Sequence, residues 1–167
     1  MKNLELKSKC SDLNAVVRVC WEIGAQYGGI LIQTDTYYNV PEGRMKLRNV
    51  NNEKFELIYY FRVDSGTEKE SNYEIIKLDG EREIKKILKE SLGVKGVVKK
   101  KRELYLYQNV RIHLDTVAKL GKFIELEAVC NSSKDLKEAP GKVKYLKEVF
   151  DIKKKDLVAK SYIDLIK

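Results

Sequence analysis

Charged residues in this chain recur at every second position within short segments, and that spacing constrains the fold more than any other feature. The segments read Asn3-x-Glu5-x-Lys7-x-Lys9, Arg44-x-Lys46-x-Arg48, Lys100-x-Arg102, Arg111-x-His113-x-Asp115 and Glu125-x-Glu127. Along a β-strand successive side chains point to opposite faces. Each segment therefore gathers its charges on one face and its apolar residues on the other. Several strands aiming cations at one surface, with carboxylates from near both chain ends, suit a polyanion held together with a metal ion.

The 167 residues are read as one domain, 1–167, with enough length for a real core. Lys and Arg number 33 against 25 Asp and Glu, a net charge of +8, which suggests anionic partners without choosing among them. No stretch approaches the roughly 20 apolar residues of a membrane span, and Glu5 so near the start does not suit a secretory signal. Cys10, Cys20 and Cys130 form no paired spacing and read as small reduced hydrophobes, which points to the cytoplasm.

Along the chain, residues 2–9 alternate as a strand, and Ser11-Asp12 cap a helix carried by Leu13, Val16, Val17, Cys20 and Ile23 up to Gly24. Strands are predicted at 28–39, 44–50 and 53–63, with a turn at Pro41-Glu42-Gly43 and a hairpin turn at Asn51-Asn52. A loop over 64–70 precedes a strand over 71–78. A helix over 79–92 ends at Gly93. Strands over 97–107, 110–116 and 122–129 follow, the first two joined at Gln108-Asn109. The remainder reads as helix in two pieces, split near Pro140 or Asp151. Hairpin-like connections make the sheet largely antiparallel. Periodicity by itself favours an open sheet with one charged, solvated face over a closed barrel with charges inside.

Glu125 and Glu127 stand about 7 Å apart along one strand face, a spacing that lets two carboxylates reach one hard cation such as Mg²⁺ or Mn²⁺. Asp115 and Glu5 could join them. Lys7, Lys46, Arg48, Lys100, Arg102 and Arg111 form the cationic counterpart, suited to the oxygens of a triphosphate. For any one of these residues plain surface charge is the simpler reading, and the shared face is what argues for a site. The runs 99–102 and 153–155 could be nucleic-acid patches, but the first splits between two strand faces and the second reads as the solvated start of the last helix. His113, the only histidine, reads as a packed, hydrogen-bonded residue. No P-loop or GxGxxG is present.

Taken together, several segments in order resemble the CYTH family, the triphosphate tunnel enzymes that include class IV adenylate cyclases and thiamine triphosphatases. Asn3-Leu-Glu5-Leu-Lys7 resembles the family's ExExK signature. The stretches 33–40 and 43–48, then Lys100-Lys-Arg102, Arg111-Ile-His113-Leu-Asp115 and Leu120-Gly121-Lys-Phe123-Ile-Glu125-Leu-Glu127, resemble its later strands. The closing Ser161-Tyr162-Ile-Asp164-Leu is similar to the cyclase-like branch. The resemblance implies an α+β fold, an eight-stranded antiparallel β-barrel (the triphosphate tunnel) with helices packed outside, against the open sheet favoured by periodicity.

It further implies phosphate binding by Lys7, Lys46, Arg48, Lys100, Arg102 and Arg111, with Arg62 and Lys69 as further phosphate-binding residues. Divalent metal, Mg²⁺ or Mn²⁺, falls to Glu5, Asp115, Glu125 and Glu127, and catalysis to Glu5, Glu125, Glu127 and Lys7. The implied activity is that of a metal-dependent enzyme on a triphosphate, most like a class IV adenylate cyclase making cyclic AMP and pyrophosphate. A tripolyphosphatase, a thiamine triphosphatase or a non-catalytic nucleotide or polyphosphate binder are the alternatives. The partner would be a nucleoside triphosphate or another organic or inorganic triphosphate, with no membrane, nucleic acid disfavoured and a homodimer left open. Asn3 departs from the pattern: it stands where the family places the first Glu, and would hold a second metal ion more weakly.

Overall fold

In the computed structural model, which describes residues 2–62 and 69–166, eight antiparallel strands close on themselves. The elements run β1 (Lys2–Lys9), α1 (Leu13–Glu22), β2 (Gln26–Tyr38), β3 (Arg44–Val50), β4 (Lys54–Arg62), β5 (Lys69–Leu78), α2 (Arg82–Leu92), β6 (Val94–Tyr107), β7 (Val110–Val117), β8 (Gly121–Cys130), α3 (Ser133–Val149) and the single-turn α4 (Tyr162–Leu165). Around the barrel the order is β1-β5-β4-β3-β2-β6-β7-β8, with β8 returning to β1. Closure leaves no unpaired strand edge. It also overturns the open sheet that periodicity favoured and bears out the barrel implied by the resemblance: pairing of β8 with β1 closes the sheet, so the charged face turns inward.

The apolar face lies outside, under the helices. On β7, Ile112 and Leu114 alternate with His113 and Asp115, and join Leu6, Ile124, Leu126 and Ala128 in a cluster with Val16 and Cys20 of α1 and Ala139, Val143 and Leu146 of α3. A smaller cluster sets Leu88 of α2 against Tyr38 and Leu47. A fully buried Leu or Ile side chain contributes about 1.5–3 kcal/mol, so these two clusters fix which face of every strand must point outward.

Local signals explain the boundaries. Asp12 accepts the Ala15 amide as the N-cap of α1, and Ser132 and Asp135 form a reciprocal capping box on α3. Asn51 and Asn52 both take positive φ in the three-residue β3–β4 turn, which the Glu53 amide closes on the Val50 carbonyl at 3.0 Å, and asparagine tolerates that conformation better than most residues. Gly43, at φ 68°, passes so close to β4 that a Cβ would sit 2.9 Å from the Tyr60 carbonyl. The three cysteines are free thiols.

Several expectations change. Helix α2 begins at Arg82, so 79–81 lie outside it, and β6 starts three residues earlier than predicted, at Val94. Pro140 does not split α3: the ordinary cost of an internal proline, about 3 kcal/mol, is offset by burying Ala139, Val143 and Leu146 against the barrel. The break comes at Asp151, with φ 53°. The Lys-rich run beyond it forms a 3₁₀ turn, Lys154–Asp156, in place of the start of a long helix. The predicted loop over 64–70 falls mostly outside the described residues, and Lys69 and Glu70 already belong to β5.

Candidate active site

Inward-facing side chains line the barrel with alternating charge. Asn3, Glu5 and Lys7 come from β1; Asp35 from β2; Lys46 and Arg48 from β3; Lys100 and Arg102 from β6; His113 and Asp115 from β7; and Glu125 and Glu127 from β8. Register sets their neighbours: Glu5 faces Glu127, Lys7 faces Glu125, Arg102 faces Asp115, and Asp35 faces Arg48. Lys9, Lys99 and Lys101 lie exposed, outside this lining. That placement removes the run 99–102 as a continuous basic patch.

Two clusters result. In the first, Asp35 accepts from Arg48 in a fork, 2.8 Å on each oxygen, and stands 3.1 Å from Lys46 Nζ and 3.4 Å from Lys100 Nζ. Burial by itself would raise this carboxyl's pKa, but Arg48, Lys46 and Lys100 hold it well below the usual carboxylate range. The same burial, together with Arg48, lowers Lys46 to about 7. Burial lowers Lys100 to about 8, with Arg102 and Arg48 adding to the effect.

The second cluster holds most of the acids. Arg102 forks Asp115 at 2.7 Å on each oxygen and reaches Glu125 at 3.2 Å. Lys7 lies 3.4 Å from Glu125 and Arg111 3.5 Å from Glu127. His113 sits between the glutamates, Nδ1 3.2 Å from Glu125 and Nε2 3.8 Å from Glu127. Burial and then Arg102 lower its pKa, which favours the neutral ring. Glu125, in spite of burial, is held well below its ordinary value by Lys7, Arg102 and His113. Tyr73 donates to Glu5. Asn3 donates to Glu127 at 2.7 Å, while its own Oδ1 is buried without a hydrogen bond.

Among the described side chains, the site residues expected from the sequence are brought to one interior, with differences among them. Arg111 stands at one end of the barrel with its side chain half exposed. Asp115 is fully buried, its oxygens taken by Arg102 and by the Tyr162 hydroxyl at 2.7 Å. Arg62 and Lys69 close β4 and open β5, but their side chains lie outside the described residues. His113 is packed and hydrogen-bonded as expected, and its partners are site carboxylates.

Sequence reasoning left Asp35 and Tyr162 without a role. The signal for Asp35 was its alternation with Gln33 and Tyr37, a carboxylate on the same face as the cations opposite it. Among the described residues no three acidic or histidine side chains are already gathered around one point as a metal cage. The donors are nonetheless hard oxygens: Glu5, Glu125 and Glu127, with the unpartnered Asn3 Oδ1 beside them. This chemistry fits Mg²⁺ or Mn²⁺.

The CYTH domain profile matches residues 1–162. The chain belongs to the CYTH family. A "putative adenylate cyclase" of Methanocaldococcus jannaschii is 26% identical, the match covering 99% of this chain and 98% of that protein. The structure of the PH1012 protein from Pyrococcus horikoshii is similar at a TM-score of 0.86 and 26% identity, covering 99% of each chain. A Hippeastrum protein, named a putative adenylyl cyclase with a dominant triphosphatase activity, shares the fold at a TM-score of 0.65 and 12% identity, covering 98% of this chain and 94% of its own. No helix among the described residues is long and apolar enough to cross a membrane.

Proposed function

We propose that this CYTH protein is a metal-dependent enzyme acting on a triphosphate compound, most like a class IV adenylate cyclase. The observation that carries the reading is the convergence of Lys46, Arg48 and Lys100 on the single Asp35 carboxylate inside a closed barrel. Buried cations collected around one anionic point match the demand of a phosphoryl group, and catalysis on such a group consists mostly of positioning and charge stabilisation. A bound Mg²⁺ or Mn²⁺ would supply further charge neutralisation and Lewis acidity at the phosphoryl oxygens.

Glu5, Glu125 and Glu127 would hold that ion, with Asn3 Oδ1 as a neutral donor. Asp115 would join them only by releasing Arg102. Lys7, Lys46, Arg48, Lys100, Arg102 and Arg111, with Arg62 and Lys69 on the expectation from sequence, bind the phosphate oxygens. In the cyclase reaction the ribose 3′-hydroxyl would give up its proton to solvent water as its oxygen bonds to the α-phosphorus and the bond to the pyrophosphate oxygen breaks, and the basic residues would stabilise the departing charge.

The test is product analysis after incubation with ATP, thiamine triphosphate or tripolyphosphate and either metal. Cyclic AMP with pyrophosphate supports the cyclase. Orthophosphate reassigns the same site to hydrolysis at the terminal phosphorus. No turnover, with tripolyphosphate still raising the melting temperature, leaves a binding protein.

A further inference from the structure

Outside the barrel, α3 and the hairpin joining β6 to β7 enclose a hollow of about 400 Å³, lined by none of the residues that face the lumen. The hairpin contributes Tyr107 and Gln108, and α3 contributes Lys137, Glu138, Lys142 and Tyr145, with Gly141 among them. That volume lies within the range of small-molecule sites, roughly 300–1,000 Å³.

The hollow is held open by fixed walls. Asn109 Nδ2 donates to the Val129 carbonyl at 2.8 Å, and Lys142 Nζ donates to Asn109 Oδ1 at 2.7 Å, so the hairpin is tied to both β8 and α3. Lys142 also stands 3.2 Å from Glu138. An ammonium has three protons to donate, and these two partners leave one to offer. The rings of Tyr107 and Tyr145 stack with centres 5.9 Å apart and planes 27° from parallel. Tyr145 is still 42% exposed, so the stack keeps aromatic surface open to solvent.

Gly141 has no reason in the packing. It lies inside α3 directly after Pro140, where glycine is among the least favourable residues for a helix. A Cβ at this position would meet nothing within 4 Å. No neighbour demands its absence, and a side chain there would project into the hollow's own space. Two lysines against one glutamate leave the lining with one positive charge in excess. The exposed Gln108 amide carries a donor and an acceptor side by side, the pairing that reads the edge of a nucleobase.

We propose that this hollow is a second binding site, outside the lumen, for a nucleoside monophosphate. The base stacks on Tyr145 with its edge toward Gln108, and the phosphate meets Lys137 and the remaining proton of Lys142. Every base has a π-face to offer such a ring, and a lysine meets phosphate as a point charge. The site is separate from the triphosphate lumen and does not rest on the chemistry assigned there.

The probe is AMP, followed by ligand-observed NMR with tripolyphosphate in excess to keep the lumen occupied. The wild-type protein is expected to bind AMP in this mixture, and to bind adenosine or inorganic phosphate more weakly. Tyr145→Ala should weaken AMP by about tenfold, or about 1.4 kcal/mol, while Tyr145→Phe keeps the ring and the affinity. Gly141→Leu fills the hollow and should abolish binding. Its melting temperature should match or exceed that of the wild type, since leucine favours a helix over glycine. No AMP binding at millimolar concentration overturns the proposal, as does displacement of AMP by tripolyphosphate. An AMP affinity unchanged in Tyr145→Ala and Gly141→Leu, or inorganic phosphate binding as tightly as AMP, overturns it too. The substituted residues lie outside the lumen, so failure of tripolyphosphate to bind tells against the triphosphate reading and leaves this readout intact.

Discussion

Asn3 donates its amide to Glu127 at 2.7 Å, directly beside the Glu5–Glu127 pairing of β1 and β8. A carboxylate at position 3 would meet Glu127 as a like charge; the amide meets it as a donor. The residue that departs from the family signature therefore orients an acid that the other pattern would repel. Asn3→Glu should lower the melting temperature of the metal-free protein and tighten Mn²⁺ binding, with the two melting temperatures converging as Mn²⁺ is added. Calorimetric titration with Mn²⁺ checks this, and an unchanged affinity would argue against a metal at this point.

Asp35 is the only carboxylate within reach of Lys46 among the described ion pairs, and it serves Arg48 and Lys100 as well. Asp35→Asn leaves three buried cations facing one another. Breaking a buried ion pair from one side costs about 3–5 kcal/mol, and a loss of that size is expected in denaturant unfolding. Saturating tripolyphosphate should recover much of it, since ligand at a hundredfold over Kd contributes about 2.7 kcal/mol. A variant as stable as wild type, or one that tripolyphosphate does not rescue, would contradict the role assigned to the cluster.

Lys46 and Lys100 fall from 10.5 to about 7 and about 8 on folding. From about pH 7 to 10.5 the unfolded chain therefore keeps protons that the folded chain has lost. Their contribution makes the fold more stable as pH rises through that window. Anion binding runs the other way, because a bound phosphate favours the protonated lysines. Affinity for tripolyphosphate should fall as pH rises from about 7, by up to about tenfold per pH unit for each lysine. Calorimetry at pH 8 in two buffers of different ionisation heat should show proton uptake on binding; zero uptake would rule it out.

Glu125→Gln together with Glu127→Gln removes the two charges that Lys7, Arg102 and Arg111 face on β8. Metal-dependent turnover should disappear while tripolyphosphate binding without metal persists or strengthens, as measured by thermal shift. Full activity in the double variant would refute the assignment of metal to these residues.

Much of this site could be read from alternation, because a period of two states which side chains share a face. The Glu5, Lys7, Lys46, Arg48, Lys100, Arg102, Glu125 and Glu127 set came out on one surface for that reason. Alternation does not state the sign of the curvature, so the open sheet and the barrel gave the same pattern until the family resemblance separated them. Asp35 was passed over because its alternation with Gln33 and Tyr37 brings no second charge from its own strand; its importance comes from β3 and β6, which pair with β2 on either side and bring Arg48, Lys46 and Lys100 to it. Tyr162 was hidden for a similar reason. A four-residue helix with no amphipathic period gives no local hint that it ends inside the lumen. Pro140 misled in the opposite sense, since its local penalty is visible in sequence and the packing that offsets it is not.

Every cation named in the lumen already has a carboxylate within 4 Å. The interior therefore behaves like a resin loaded with its own counterions: among the described side chains six lumen cations, Lys7, Lys46, Arg48, Lys100, Arg102 and Arg111, face five acids, Glu5, Asp35, Asp115, Glu125 and Glu127, so little of the net +8 of the chain is carried there. A free anion or a free cation would have to break such pairs with nothing to offer the partner left behind. A ligand carrying both signs can exchange with them one for one. The saturating species should accordingly be the metal–triphosphate complex, with each component binding more weakly alone than in the presence of the other.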